Sequence, residues 1–127
     1  MELLFRALSD RTRLRLINLM GLGEVCVCFL VEIIGPNQPK ISRHLAYLRK
    51  AGIVAARREG KWMHYRLSAP ADENANQILE EVRKWMAEDP EMQRDLKQLA
   101  SFCCAVKLPA HLQVAPKPIP LQKIKEI

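Results

Sequence analysis

The sequence lacks any run of about 18 apolar residues, the length that a membrane-spanning helix needs. Its first residues have no charged segment followed by an apolar core, so we expect a cytoplasmic protein without a secretory signal. A glycine-rich loop for phosphate and a convincing nucleophile–base pair are also missing, which argues against an enzyme. With 127 residues, 49% of them hydrophobic, the chain suits one domain with a substantial core.

Acidic residues are nearly missing from one segment of the chain. Residues 38–67 contain eight basic side chains and a single acidic one, Glu59, although the whole chain has a net charge of only +6. Such a concentrated basic block is typical of a surface that binds a polyanion such as DNA. A basic surface that only contacts solvent is the alternative.

Cysteine is scarce, and the four cysteines form two clusters, Cys26 with Cys28 and Cys103 with Cys104. In a cytosolic protein, clustered cysteines indicate metal or redox chemistry more than structural disulfides. A disulfide between Cys103 and Cys104 is disfavoured, because neighbouring Cα atoms are only ~3.8 Å apart, below the usual range for a disulfide.

Apolar periodicity and capping residues predict four helices in the first part of the chain. The predicted fourth helix begins after Asn37, which can cap it, with Pro39 in its first turn. Gly52 is expected just past its end. The four predicted helices cover residues 2–8, 9–21, 24–34 and 37–51.

A β-hairpin is predicted next. The extended runs 53–58 and 62–67 flank a turn that contains glycine, which is the usual sequence pattern of a hairpin. Arg57, Arg58 and Lys61 lie around the predicted tip, where they can reach the DNA backbone or the minor groove.

Two further helices are predicted, over residues 72–88 and from residue 90 to about residue 104. We expect a domain over residues 1–106, followed by a proline-rich extended or disordered tail over 107–127. This order of elements indicates a mainly α fold with a β-hairpin wing, the winged helix-turn-helix. Its recognition helix fits the major groove of DNA.

Five separated motifs occur in a distinctive order. They read ALSDRTRL at 7–14, EVCVCFL at 24–30, QPKISRHLAYL at 38–48, AGIV at 51–54, and GK with YRL at 60–61 and 65–67. Together they cover about residues 3–104 and make the chain resemble the ArsR/SmtB metal-responsive repressors. Arg11 stands where proline is common in that family.

The resemblance implies how the chain contacts DNA. Gln38, Ser42 and His44 are the implied base-contacting positions, and Lys40 and Arg43 are neighbours that can reach phosphate. The partner is double-stranded operator DNA. Family dimers form through the first and last helices, so a homodimer is expected. The apolar residues available for that interface are Leu3, Leu4, Ile78, Leu79, Val82, Met92, Leu96 and Leu99.

The resemblance also implies that the Cys26-Val27-Cys28 run binds soft metals and metalloids, which thiolate sulfur suits. We place this run at the start of the predicted third helix. Residues two apart on a helix point roughly 200° apart, so the two sulfurs cannot converge while that turn stays regular. Ligand binding is therefore expected to distort the helix and to favour the state that releases DNA.

The identity of the inducer stays open. Arsenite sensors of the family often carry a third cysteine where this chain has Val31, so either a third sulfur comes from elsewhere, with Cys103 and Cys104 as the only candidates, or the site is different. Three thiolates suit trivalent arsenic or antimony, and four suit zinc, cadmium or lead. Cys103 and Cys104 alone would suit methylarsenite. Family zinc sensors use Asp and His on the dimer helices, and the absence of histidine from 68–104 favours arsenic. No organic cofactor is expected.

Two rival interpretations use the same cysteines differently. In a thiol redox switch, oxidation of the cysteines would release DNA without any metal. In a constitutive DNA binder, the cysteines would be inert residues of the core, since free cysteine is often buried.

Overall fold

The structure is a computed structural model that describes residues 2–35, 37–104, 112–113 and 115–120. Six helices and four strands lie in this part of the chain. None of these helices is long and apolar enough to cross a lipid bilayer. In chain order the elements are α1 Glu2–Leu8, α2 Arg11–Met20, β1 Gly23–Cys26, α3 Val27–Ile34, α4 Gln38–Lys50, β2 Val54–Glu59, β3 Trp62–Leu67, α5 Glu73–Met86, α6 Pro90–Cys104 and β4 Ile119–Pro120.

Side-chain caps fix where helices α2 and α4 begin. The Asp10 carboxylate accepts a hydrogen bond from the backbone N–H of Arg13, which starts α2. The Asn37 side chain likewise accepts from the N–H of Lys40 and starts α4. Each cap satisfies a backbone donor that has no partner within the helix. The cap expected at Asn37 is therefore confirmed.

The helices pack around a single core. The predicted apolar face of α4 is buried there through Ile41, Leu45 and Leu48. Helix α6 lies against α2, where the Arg15 guanidinium donates two hydrogen bonds of 2.8 and 3.0 Å to the Asp95 carboxylate. The largest fully buried side chains are Leu16, Ile17, Leu19, Met20, Phe29, Leu30, Leu45, Leu48, Ile53, Met92, Leu99 and Leu112.

The strands form one sheet in the order β2-β3-β1-β4. Strands β2 and β3 make the predicted hairpin, and Gly60 in its turn has a positive φ of 60°, which glycine adopts without strain. Strand β1 pairs antiparallel with β3, with Val25 opposite Tyr65 and Cys26 opposite His64. The wing hairpin is therefore hydrogen-bonded directly to the segment that carries the first cysteine.

The predicted start of the third helix is wrong. Residues 23–26 form strand β1, and α3 begins only at Val27. A short apolar run does not distinguish a buried strand from a helix by periodicity alone. Here Val25 and Cys26 pair with β3, and this long-range pairing overrides the local helical pattern.

The end of the chain adds one short strand. Strand β4 pairs with β1 on the edge opposite β3, with Ile119 opposite Glu24. Leu112 and Ala115 are buried. Residues 105–111, 114 and 121–127 lie outside the described residues. The boundary at residue 106 and the extended or disordered state of the tail therefore stay predictions.

Candidate thiol site and DNA-binding face

The two cysteines of the Cys-Val-Cys run lie at the junction between β1 and α3. Cys26 is the last residue of the strand and the N-cap of α3, with extended backbone angles (φ −66°, ψ 142°). Cys28 lies in the first turn of α3. Their Sγ atoms are 3.0 Å apart. The expected separation of the sulfurs by a regular turn is therefore wrong, because Cys26 is not helical and its side chain points toward that of Cys28.

The two thiols have opposite pKa shifts. A hydrogen bond from the Cys28 thiol lowers the pKa of Cys26 to about 7, and backbone N–H groups at the start of α3 add to this effect. Burial and the charge of Glu59 oppose it. The same sulfur–sulfur hydrogen bond, together with burial, raises the pKa of Cys28. Near pH 7 the Cys26 thiol is therefore about half ionised, while the Cys28 thiol keeps its proton.

This pair fits a soft ligand atom. Two sulfurs already in contact can both bond to one arsenic, antimony or metal centre after loss of their protons. Among the described residues, no three His, Cys, Asp or Glu side chains are already gathered for a metal ion. The pair therefore supplies two donors, and a third has to come from a side chain that moves or from the end of α6.

Cys103 and Cys104 are the last two residues of α6, and their side chains lie outside the described residues. The residue before them is nevertheless informative. The Phe102 ring packs on the Phe29 ring with a centroid distance of 5.5 Å. Since Phe29 follows Cys28 directly, this contact places the end of α6 beside the start of α3 in the same chain.

Helix α4, the predicted recognition helix, exposes some of the side chains that the sequence predicts to contact DNA. Gln38, Lys40 and Arg43 are exposed, and Ser42 and His44 are half-buried. Burial lowers the pKa of His44, the nearby Asp10 carboxylate raises it, and the charges of Arg13, Lys40 and Arg43 lower it further. His44 is therefore neutral at pH 7.

Sequence reasoning missed Arg13, which lies in the ALSDRTRL motif but carries no signal of its role. Its guanidinium donates to the backbone carbonyls of Ala7 and Arg6, at 2.9 and 2.8 Å. It also donates to Nδ1 of His44 at 3.3 Å and stacks 4.6 Å above the Tyr47 ring. Because the Arg13 guanidinium can only donate, Nδ1 of His44 accepts this hydrogen bond, and the ring proton of neutral His44 lies on Nε2.

The three predicted wing cations have different surroundings. Arg57 forms ion pairs with the carboxylates of Glu24 and Glu59, whereas Arg58 is exposed at the hairpin. The Lys61 ammonium lies 5.1 Å from the centre of the Trp62 ring and is exposed as well. The Glu24 side chain is only 4% exposed, and Arg57 lowers the pKa of this carboxyl. Sequence reasoning did not identify the Glu24 partner, because the two residues are distant in sequence.

The predicted dimer residues divide between the core and the surface. Leu4, Leu79, Met92 and Leu99 are buried within the chain. Ile78, Val82 and Leu96 are half-buried, and Leu3 is exposed. Large apolar side chains exposed elsewhere are Phe5, Leu22 and Trp85, and Trp85 is 66% exposed. An apolar surface therefore remains on α1 and α5.

Together, a capped recognition helix, a helix packed across it and a basic hairpin define a winged-helix DNA-binding transcription regulator. The sequence matches the bacterial regulatory protein family arsR over residues 10–56. It is 44% identical over 103 residues to the arsenical resistance operon repressor of Escherichia coli K12, covering 80% of this chain and 86% of that protein. The chain belongs to the arsR family.

Two further relatives agree with this assignment. The arsenic resistance transcriptional regulator ArsR1 of Pseudomonas putida KT2440 is 41% identical over 92 residues, which cover 68% of this chain and 72% of that protein. Among solved structures, the AntR antimony-specific transcriptional repressor is similar with a TM-score of 0.53 and 32% identity. That match covers 67% of this chain and 75% of AntR.

Proposed function

We propose that the chain is a homodimeric repressor that leaves its operator when trivalent arsenic or antimony binds the thiols of Cys26 and Cys28. The observation that carries this proposal is the 3.0 Å separation of the two Sγ atoms at the start of α3. The names of the E. coli and Pseudomonas putida relatives and of AntR agree with such an inducer. We assign the class of inducer on the sulfur chemistry of the site.

A third sulfur completes the arsenic site in this proposal. The contact between Phe29 and Phe102 brings the end of α6 to the start of α3, so we assign the third thiolate to Cys103 or Cys104 of the same chain. Each arsenic–sulfur bond replaces an arsenic–hydroxyl bond of arsenite. The displaced hydroxide leaves as water with the thiol proton, so three waters form and no electrons are transferred.

Release of DNA follows from the position of the thiols. Helix α3 packs against the recognition helix α4, and β1 pairs with the wing strand β3. A bond from arsenic to the end of α6 would pull on the residue where β1 ends and α3 begins. The inducer must bind this rearranged state more tightly than the operator-binding state, and linkage then weakens operator binding by the same factor.

For the DNA complex, we propose that α4 enters the major groove. Gln38, Ser42 and His44 then read base edges, with His44 donating from Nε2, while Lys40 and Arg43 contact phosphate. At the wing, we assign backbone or minor-groove contacts mainly to the exposed cations Arg58 and Lys61. Arg57 can add to them only by weakening its ion pairs with carboxylates.

Dimerisation is proposed through the apolar surface on α1 and α5, where Leu3, Phe5 and Trp85 are exposed. A two-fold dimer places two recognition helices on successive half-sites of a pseudo-palindromic operator.

The decisive test is an operator-binding titration with arsenite, methylarsenite, antimonite, zinc and cadmium. We expect arsenite to release the wild-type protein from its operator but not the Cys26→Ser or Cys28→Ser variant. Without arsenite, both variants should bind the operator as tightly as the wild type. Met63→Leu is the matched control, because it removes a sulfur from the neighbouring strand but no thiol. A full arsenite response in Cys26→Ser would refute the assignment of the site. A normal response in the double variant Cys103→Ser/Cys104→Ser would refute the assignment of the third ligand.

A redox switch is the second candidate, and the same sulfur–sulfur distance favours it. Two thiols at 3.0 Å need only a small movement to form a disulfide bond of about 2.05 Å. Oxidation by peroxide would transfer two electrons from the two sulfurs and release two waters. Release of the operator by peroxide without metal, reversed by dithiothreitol and absent in Cys28→Ser, would support this candidate over arsenite sensing.

A further inference from the structure

His64 is a buried histidine beside the thiol pair that the proposed arsenic site does not use. It lies in the middle of the sheet, directly opposite Cys26 on β1 and directly opposite Arg57 on β2. Residues directly opposite each other share one face of the sheet, with Cβ atoms ~4.5–5.5 Å apart. The imidazole is therefore a nearest neighbour of the Cys26 side chain.

The ring of His64 has an unfilled position. The residue is 1% exposed, and its Nε2 atom is buried without any hydrogen-bond partner. Such a group is rare in folded proteins, and an ion or water that binds it is one of its ordinary explanations. The carboxylates of Glu24 and Glu59 lie 3.8 Å from Nδ1 and 3.6 Å from Nε2, respectively.

This environment is the one that metal-binding histidines usually have. A histidine ligand commonly directs its second ring nitrogen toward a carboxylate, which fixes the tautomer and leaves the other nitrogen free to bind the metal. The Glu24 carboxylate lies 3.8 Å from Nδ1, beyond hydrogen-bond distance, so it has to move closer to orient the ring in this way. The Glu59 carboxylate lies 3.6 Å from Nε2, and its charge also acts on Cys26.

We propose that His64 Nε2 and the Glu59 carboxylate join the thiolates of Cys26 and Cys28 to bind a divalent cation of the zinc class. Two sulfurs, one imidazole nitrogen and one carboxylate oxygen are all ordinary zinc ligands, and four of them satisfy a tetrahedral ion. This inference rests on the proposed role of Cys26 and Cys28 as ligands. It adds a second donor set, from the wing, that arsenic does not use.

Binding of the cation requires side-chain movements, because no three of the described His, Cys, Asp and Glu side chains stand together at ligand distance. The backbone register already places His64 beside Cys26, so the proposal assigns these movements to the side chains. The Arg57 guanidinium, paired with both Glu24 and Glu59, partly neutralises the charge of two thiolates and a carboxylate. Arsenic and zinc would therefore share two sulfurs but differ in the remaining donors, which come from α6 and from the wing.

The test is an optical titration with Co²⁺, in place of Zn²⁺, of the full chain. We expect wild-type protein to give the d–d bands of tetrahedral cobalt together with a thiolate-to-cobalt charge-transfer band. His64→Gln is expected to weaken Co²⁺ and Zn²⁺ binding at least about tenfold and to reduce the d–d bands, with arsenite release unchanged. Met63→Leu, a substitution on the same strand and the opposite face of the sheet, is the matched control and should behave as wild type.

The outcomes separate this inference from the proposed function. Wild-type affinity and spectrum in a folded His64→Gln protein would overturn the inference alone. If arsenite still released the Cys26→Ser variant from the operator, the thiol assignment on which the inference and the proposed function both depend would be overturned.

A measurement on unmodified protein covers the case in which His64→Gln fails to fold. The chain has three histidines, at positions 44, 64 and 111, so a protein labelled with ¹⁵N-histidine gives few ring signals. Zn²⁺ is expected to shift the Nε2 signal of His64 and to leave His44 unchanged. A shift confined to His44 or His111 would overturn the inference.

Discussion

Replacement of Arg13 by methionine tests whether contacts made by α2 hold the recognition helix α4 in position. The Arg13 guanidinium holds two carbonyls at the end of α1 and, on its other side, Nδ1 of His44 and the ring of Tyr47 in α4. Methionine keeps much of the aliphatic length and removes every one of these polar contacts. The change therefore disconnects α4 from α1 without opening a large cavity.

The structure gives the size of the effect. The two carbonyl hydrogen bonds, at 2.9 and 2.8 Å, come from a charged but partly exposed donor, so we count ~1 kcal/mol for each. The stacking on Tyr47 adds ~0.5–1 kcal/mol. Arg13→Met should therefore lower the free energy of unfolding by about 2–3 kcal/mol. Loss of a fixed Nε2 donor on His44 should weaken operator binding about tenfold, which corresponds to one base contact of ~1.4 kcal/mol.

Urea denaturation and operator titration measure these two quantities separately. A double-mutant cycle with His44→Ala then tests the mechanism, since Arg13→Met should cost no further operator affinity once His44 is gone. Arg11→Met is the control, because Arg11 pairs with Asp89 and Glu91 at the surface, and such pairs contribute little. Additive losses of affinity in Arg13→Met and His44→Ala would refute the positioning role.

Three other predictions concern the thiol pair, the ion pair of Glu24 with Arg57, and the contact of Phe102 with Phe29. The thiolate absorbance of Cys26 near 240 nm should titrate with a midpoint close to pH 7, and Cys28→Ala should move that midpoint upward, because the hydrogen bond that lowers the pKa is lost. The lowered pKa of Glu24 means that its pairing with Arg57 stabilises the fold above the ordinary glutamate value of 4.5 and is lost as the pH falls below it. Glu24→Gln should therefore cost about 1–2 kcal/mol at pH 7 in chemical denaturation and much less at pH 3. Phe102→Ala should cost about 2 kcal/mol, since this ring is only half-buried, and should weaken arsenite release more than operator binding.

The parts of the fold that local sequence determines were predictable. The period of Ile41, Leu45 and Leu48, the cap at Asn37 and the glycine at position 60 specify the recognition helix and the hairpin through neighbours within a few residues. Strand β1 was not predictable in this way, because its extended state depends on pairing with β3, about forty residues further along the chain.

The same distinction applies to the site. The sequence identified Cys26 and Cys28, because a resemblance can be read from a local motif. It did not show that their sulfurs touch, since that contact depends on where α3 begins. Nor did it identify Glu24, His64 or Arg13, whose partners lie on other elements. Each of these is a polar group in a buried or half-buried setting, and its function is set by a contact that only the folded chain provides.

Strand β1 connects the two elements that we propose to contact DNA, so one ligand at its end can act on both. Its end continues directly into α3, which packs on the recognition helix, while its edge pairs with β3 of the wing. Glu24 extends this link to Arg57 on β2. We therefore expect a shift of Cys26 to disturb its pairing with the wing strand and the first turn of α3 together. Because a packed core has few intermediate arrangements, a small displacement at the sulfurs is expected to move both elements as a unit.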